Sequence, residues 1–502
     1  MKILNLIHVM FVFVIIRVKK SFRMSINVYT VPIVILAAFL EIRDLLNLCK
    51  TNHSYKKHIF HSVKPETCID NINHGKKLQK YFNKINFKVD LQYTKNNAKL
   101  SDLNNHVINL QANNTLEIKD DTLINYTNLQ KLTITTDKIS DAGINYLTNI
   151  TELDILHNST ISDVGIKSLV NLKKLYMNNL ITINGIKSLT NLETLRISYN
   201  THINDHSLKY LKNLTDLDMS HHTTITYKTL KELPKLNSLT IRCCSKIVDM
   251  ELLDMINLTK LDISNNHQTT DQGLSLLTNL ISLNLSCNTK ITDTGLFNLV
   301  KLKSLNLAHN PMITDRCLST LTNLTELDLH HNYEISDNGI INFSKLKKLY
   351  LSHNQKISDV GVQNTVRNLV ELNLSSNYLI TDNSIMNLTG LRTLGLSCNN
   401  LISNDCLKRM IELENLDLSF NELIKDSTIS CLKNLKLLTI SFRNKFKKST
   451  LSELKSIGTI IITQPHISNS SEFNSNEKST YYFGLLLFFG IIIIIFIVVK
   501  NL

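Results

Sequence analysis

Three histidines, His309, His331 and His353, recur at intervals of 22 residues, with His157 and His221 in phase and His330 adjoining. If 22 residues advance the chain by one rung of a parallel strand ladder, these imidazoles lie about 5 Å apart. Stacked at that distance they could hold a metal or sense pH, since imidazole is both a metal ligand and a group that titrates near neutrality. The same spacing also arises without any ligand, when a Ser-His-Asn triplet is copied from unit to unit. No metal site is therefore assigned to them. Nine cysteines are scattered as singletons or neighbours without a Cys-x-x-Cys pair. Free thiols in a reducing compartment fit this better than a disulfide framework. No phosphate loop, metalloprotease helix or Gly-x-Ser-x-Gly elbow occurs, so no catalytic residue and no cofactor is expected.

The element that would position the histidines is a repeat. Residues 280–301, 302–323 and 324–345 read LISLNLSCNTKITDTGLFNLVK, LKSLNLAHNPMITDRCLSTLTN and LTELDLHHNYEISDNGIINFSK. The template LxxLxLxxNxxITDxGLxxLxx starts 16 times between Val107 and Leu435. In LxL, strand alternation sends two apolar side chains inward and the residue between them outward. The Asn (Asn158, Asn200, Asn266, Asn288 and others) is expected to turn inward and bond neighbouring backbone, because a buried amide persists only when paired. Thr or Ser of the ITD step is an N-cap with Asp in the first turn of a short helix. One unit cannot bury its own apolar face, so the units must stack.

The template resembles that of leucine-rich repeats and covers about 105–462. The resemblance implies an α/β solenoid, a horseshoe of about 16 units with a parallel strand ladder on its concave face. Cysteine-rich caps, usual in extracellular members, are absent from both ends. The final half-unit, 457–462, is expected to supply the last strand, and residues 67–104, a basic connector, the N-terminal cap.

On the concave face, the residue between the strand leucines is Asp, Asn or Tyr in most units. The most regular units bring together Asn306, Asp328, His330, His331, Tyr350 and His353, the expected target-binding set. Aromatic and charged groups on a rigid strand are good anchors because they lose little entropy on binding. If the histidines take part, binding should change between pH 7.5 and 5.5. A nucleic-acid partner is not expected: of the net charge of +13, residues 1–100 carry 17 Lys+Arg against 5 Asp+Glu, and the rest carries 38 against 37.

Residues 28–66 contain a proline-led apolar run, then Phe39-Leu40, Asp44-Leu45-Leu46, Leu48 and Tyr55. Short helices fit, with Asp44 capping one. The segment resembles an F-box, the helical module that docks on the adaptor subunit of cullin–RING ubiquitin ligases. The resemblance implies Pro32, Leu36, Phe39, Leu40, Asp44, Leu45, Leu46, Leu48 and Tyr55 as adaptor-binding residues, and repeats that select a protein target. It departs from the pattern where Pro32 stands a helical turn too near Asp44. A plain helical cap is the other reading.

Residues 481–499 form an uncharged apolar run of 19. A helix of that length spans about 28 Å, enough to cross a bilayer core. Residues 463–480 read as a polar tether. The apolar and basic residues 1–23 fit a signal anchor, a cleaved signal or an extension preceding initiation at Met24. The expected whole is a single-pass membrane protein with cytosolic repeats. A recognition ectodomain and a scaffold without a ligase are the alternatives.

Overall fold

The computed structural model describes residues 66–464, except 70, 83, 94–96, 113–117, 223–224, 245–247 and 366–367. The F-box-like residues Pro32 to Tyr55, the extension 1–23 and the apolar run 481–499 lie outside the described residues. Among the described residues, no helix is long and apolar enough to cross a membrane. They fall into two compact units, 1–192 and 193–502.

In the first unit, β1 (Glu66–Ile69), β2 (Asn86–Asp90) and β3 (Val107–Ala112) run parallel, joined by α1 (Ile72–Tyr81) and a 3-10 helix (Asn97–His106). Strands Lys131–Ile134, Glu152–Asp154 and Lys174–Tyr176 follow in the same sense. The basic connector thus contains two further strands. They escape the leucine template because β2 puts Phe87 and Val89 where leucines are expected, both buried. Alternation, not leucine itself, is what a half-buried strand requires. Behind them Ile72, Phe82, Ile85 and Leu103 close the apolar layer. Asn71 caps α1 by accepting the Asn73 N–H at 2.9 Å.

In the second unit the strands from Thr194–Arg196 to Ile460–Gln464 are all parallel. Leu283, Leu305, Leu327 and Leu349 stand opposite one another across four successive strands, one repeat apart. The closing half-unit supplies the strand Ile460–Gln464, paired with Leu437–Ser441. The strand leucines are 0–2 % exposed. Each contributes about 1.5–3 kcal/mol on burial.

Most polar groups inside the stack are satisfied by the neighbouring rung, although buried Asn288 Oδ1 and Asn332 Nδ2 find no partner among the described residues. Asn310 donates from Nδ2 to the Leu285 carbonyl at 2.9 Å and accepts the Asn288 N–H at 2.8 Å. Asn332, Asn354 and Asn377 receive the next backbone N–H groups in turn, each at 2.9 Å. In the first unit Asn158 and Asn178 donate likewise to backbone carbonyls of the preceding rung. A second ladder runs along the helix starts. The Thr or Ser N-cap gives its hydroxyl and its backbone N–H to the helix-start Asp of the preceding unit: Thr270 to Asp249, Thr292 to Asp271, Ser336 to Asp315.

That second ladder explains the glycine of the template. A Cβ on Gly339 would lie 2.3 Å from Asp315 Oδ1, and one on Gly361 2.3 Å from Asp337 Oδ1. In two units where the position is not glycine, a threonine there donates to the same acceptor. Thr229 gives its hydroxyl to Asp205 at 2.7 Å, and Thr428 gives its hydroxyl to Asn404 at 2.7 Å. The carboxylate ladder, not helix flexibility, selects the residue.

Two stability measurements check this. Gly339→Ala should cost about 1–3 kcal/mol through overpacking against Asp315, whereas Gly390→Ala, with open space around its Cβ, should be near neutral. Equal urea midpoints for the two variants would count against the ladder. Asn310→Ala should cost about 1–3 kcal/mol by leaving a buried carbonyl and N–H unpaired, read as the same midpoint shift.

Candidate functional site

The exposed strand face of the second unit carries a shallow groove of about 360 Å³. Its centre is the column between the strand leucines: Thr240, Asp262, Asn284, Asn306, Asp328 and Tyr350, flanked by Lys260 and Glu326. Register places Asn306 opposite Asp328 and Asp328 opposite Tyr350. All three are half-buried.

Most acidic and amide residues of this column have a local task that their type alone did not reveal. Asn306 accepts the Ala308 N–H at 2.9 Å, Asp328 the His330 N–H at 3.1 Å and Asp262 the Ser264 N–H at 3.0 Å. Asp154, Asp218, Asn284, Asn373 and Asp417 do the same two residues on. These are Asx-turns that end each strand. Asp and Asn recur here because the backbone turns, and only the remaining carboxylate oxygens face outward. Tyr350, like Thr240, makes no such bond, so the turn does not explain its type.

Asp328, His330 and Tyr350 form one cluster. His330 Nδ1 bonds the Asp328 carboxylate, and the His330 and Tyr350 rings stack with centroids 5.9 Å apart. Burial, and the nearby carboxylates of Glu371, Glu326 and Asp328, push the Tyr350 hydroxyl well above its usual range, so it remains a neutral donor. Glu326, Lys348 and Glu371 flank it as a chain of loose ion pairs, with Lys348 at 3.6 and 3.9 Å from the two carboxylates. Farther along the face Arg242 pairs with Asp262 at 2.6 Å. These flanking residues were missed because the template marks their position only as variable.

His331 and His353, with His309, are not on that column. They occupy the turn beyond it, where the backbone is left-handed: φ is 58° at His309, 57° at His331 and 62° at His353. The same conformation recurs at Tyr199, His221, Cys243, Asn265, Cys287, Ser376, Cys398 and Phe420. Non-glycine residues adopt it at a cost of about 1–2 kcal/mol. Here the turn lets the N–H reach the next rung: His309 donates to the His330 carbonyl at 2.8 Å and His331 to the Ser352 carbonyl at 3.0 Å. The rings then stack, with centroids 4.3 Å apart for His309–His331 and 4.2 Å for His331–His353. Parallel rings direct their in-plane lone pairs side by side, whereas a metal ion needs them to converge. Among the described residues, no three His, Cys, Asp or Glu side chains are arranged to hold a metal.

The eight described cysteines are unpaired. Burial pushes the Cys244 thiol up to about 11 and the Cys406 thiol up to about 12, so neither is an activated nucleophile.

The stack also gives the fold a pH response of its own. Burial, then the neighbouring imidazoles His353 and His309, push His331 down to about 3. Burial likewise lowers His309 and His353. His331 therefore stays neutral in the native state between pH 7.5 and 5.5. An unfolded chain takes up protons below about 6.5 that native His331 refuses. Stability is therefore full above pH 6.5 and falls as pH drops toward 3. His331→Asn, which suits the left-handed backbone, should lose less stability between pH 7.5 and 5 than the parent, measured by urea denaturation at both. Equal losses would contradict the stack's role.

The comparisons bear on the same segments. The family described as Leucine Rich repeats (2 copies) matches residues 322–364, and the single Leucine Rich repeat family matches 146–170, 276–300 and 298–321. Among curated proteins, none matches significantly. Similar solved structures include a leucine-rich-repeat protein of Leptospira interrogans, 25% identical with a TM-score of 0.48, covering 73% of this chain and 98% of that one. The yeast Rad7–Elc1 complex is 22% identical with a TM-score of 0.47, covering 65% and 88%. Mouse RP105/MD-1 is 19% identical with a TM-score of 0.46, covering 75% and 70%. With the family matches falling on units whose strands, asparagine ladder and capped helices are all in place, this chain is a leucine-rich-repeat protein.

Proposed function

We propose that this chain is a membrane-tethered substrate adaptor of a cullin–RING (SCF-type) ubiquitin ligase. Its repeats bind a protein target, its F-box-like segment recruits the ligase adaptor subunit, and its C-terminal apolar run anchors it. The observation that carries the reading is the strand-face groove, where Tyr350 and the outer oxygen of Asp328 stand on rigid strands, with His330 beside them in the turn that follows Asp328. Aromatic and charged groups held in this way are the usual anchors of a protein interface. The role asks for no chemistry in this chain. Anchoring confines the search for a target to one membrane surface and so raises effective concentration. Cytosolic repeats suit the unpaired cysteines. They also suit the sequon residue Asn323, whose Nδ2 donates to the Val300 carbonyl at 3.0 Å while its Oδ1 accepts from Lys345 at 2.7 Å.

Leu45→Ala with Leu46→Ala should abolish co-precipitation of the cullin adaptor while the urea midpoint of the repeats is unchanged. Parent protein that captures no cullin adaptor would reduce residues 28–66 to a cap. On the target side, Asp328→Asn keeps the turn acceptor and removes the charge, and Tyr350→Ala removes the aromatic. Each should weaken target binding about tenfold or more if these residues are anchors. Affinity indifferent to both would place the target elsewhere. Glycans on the exposed sequon residues Asn257 or Asn387 would put the repeats on the other side of the membrane and favour a recognition ectodomain.

A further inference from the structure

The last units break the template in one place. Where earlier units read Ile-Thr-Asp ahead of the helix, residues 445–448 read Lys-Phe-Lys-Lys. Lys447 is the N-cap and makes no side-chain cap bond, and Lys448 opens the helix Lys448–Ser456. Cations at a helix start oppose its dipole, so nothing in the helix favours them there. With Arg443, Lys445 and Lys425 they make an exposed cationic loop, in which Glu422 lies 3.6 Å from Arg443 and Asp426 accepts the Lys447 N–H at 2.8 Å. The loop is not loosely held. Asn444 ties it into the asparagine ladder, donating to the Leu418 and Asn421 carbonyls at 2.9 and 2.6 Å.

Apolar side chains occupy the position of Lys445 in the three preceding repeats, and Phe442 stands three residues before it. Phe442 is 46% exposed, and Leu423, Leu401 and Leu379, at equivalent positions of three successive units, are 49–51% exposed. Such a stripe of large apolar groups in water, ending in a cluster of lysines, has the composition of a surface that meets lipid headgroups. The exit of the chain lies beside it: Gln464, the last residue of the final strand, stands opposite Ser441, the residue before Phe442. Residues 465–480 can span at most about 55 Å in any conformation, so an anchor at 481–499 keeps the patch within reach of its own bilayer.

We propose that this edge, Phe442 to Lys448 with Leu423, Leu401 and Leu379, is a docking surface for an anionic phospholipid bilayer. The inference rests on the anchor reading. Docking fixes the orientation of the repeats relative to the membrane: the lysines read the headgroup charge, and Phe442 and Leu423 enter the headgroup layer.

The chain contains no tryptophan, so Phe442→Trp gives a single-reporter protein, and Leu423→Trp gives a second should the first misfold. The full chain is placed in lipid nanodiscs of phosphatidylcholine, alone or mixed with phosphatidylserine, with brominated acyl chains as quencher. Emission should shift to the blue and be quenched about twofold in the phosphatidylserine discs only. Raised salt, or Lys445→Glu with Lys447→Glu and Lys448→Glu, should abolish the quenching. Met250→Trp, on the helix of a distant repeat, should not respond. Protein that enters the disc but leaves both reporters unquenched would overturn the docking surface while the anchor stands. Quenching that ignores phosphatidylserine and the triple variant would overturn the role of the lysines. A chain that does not co-purify with discs would remove the anchor and this proposal together.

Discussion

Each rung depends on the next to satisfy its buried hydrogen-bonding groups, and this constraint governs the rest of the structure. A buried N–H or carbonyl left unpaired costs more than a typical hydrogen bond gains. The chain solves the problem with two ladders. Asparagine amides bridge backbone of neighbouring rungs on the inside of the turns, and aspartates bridge N-caps along the helix starts. Glycine at the third helical position follows from the second ladder wherever the preceding helix starts with Asp315 or Asp337, because a Cβ there would meet the carboxylate.

The same constraint decides what the outer face can offer. Asn306 and Asp328 are partly committed to ending their strands, and the His309–His331–His353 stack is committed to a left-handed turn that sends each N–H to the next rung. What remains free for recognition is what these tasks leave over: one carboxylate oxygen, an imidazole held by Asp328 and the Tyr350 ring. Rigidity is the compensation, since groups fixed by the ladders lose little further entropy on binding.

Much of the fold was legible in the sequence because its signals are periodic. The LxL strands, the inward asparagines and the Thr or Ser caps all appear where the template places them. Strands β1 and β2 were not legible, since Phe87 and Val89 keep the alternation without the leucines. At the candidate site the spacing of the histidines told that they stack, but not that burial and mutual repulsion would hold His331 neutral. The Asx-turn role of the outer column was hidden because its partner is the backbone two residues on, which every residue possesses.

The claim on which the functional reading turns is that a protein partner sits on the strand face of the units around Tyr350. The direct measurement is site-specific photo-cross-linking in the full chain, with benzoylphenylalanine in place of Tyr350 or of Val360, an exposed residue on the helix of the same unit. Cross-links to one partner from position 350, absent from position 360 and lost with Asp328→Asn, are the expected result. Cross-links from position 360 with none from position 350 would contradict it.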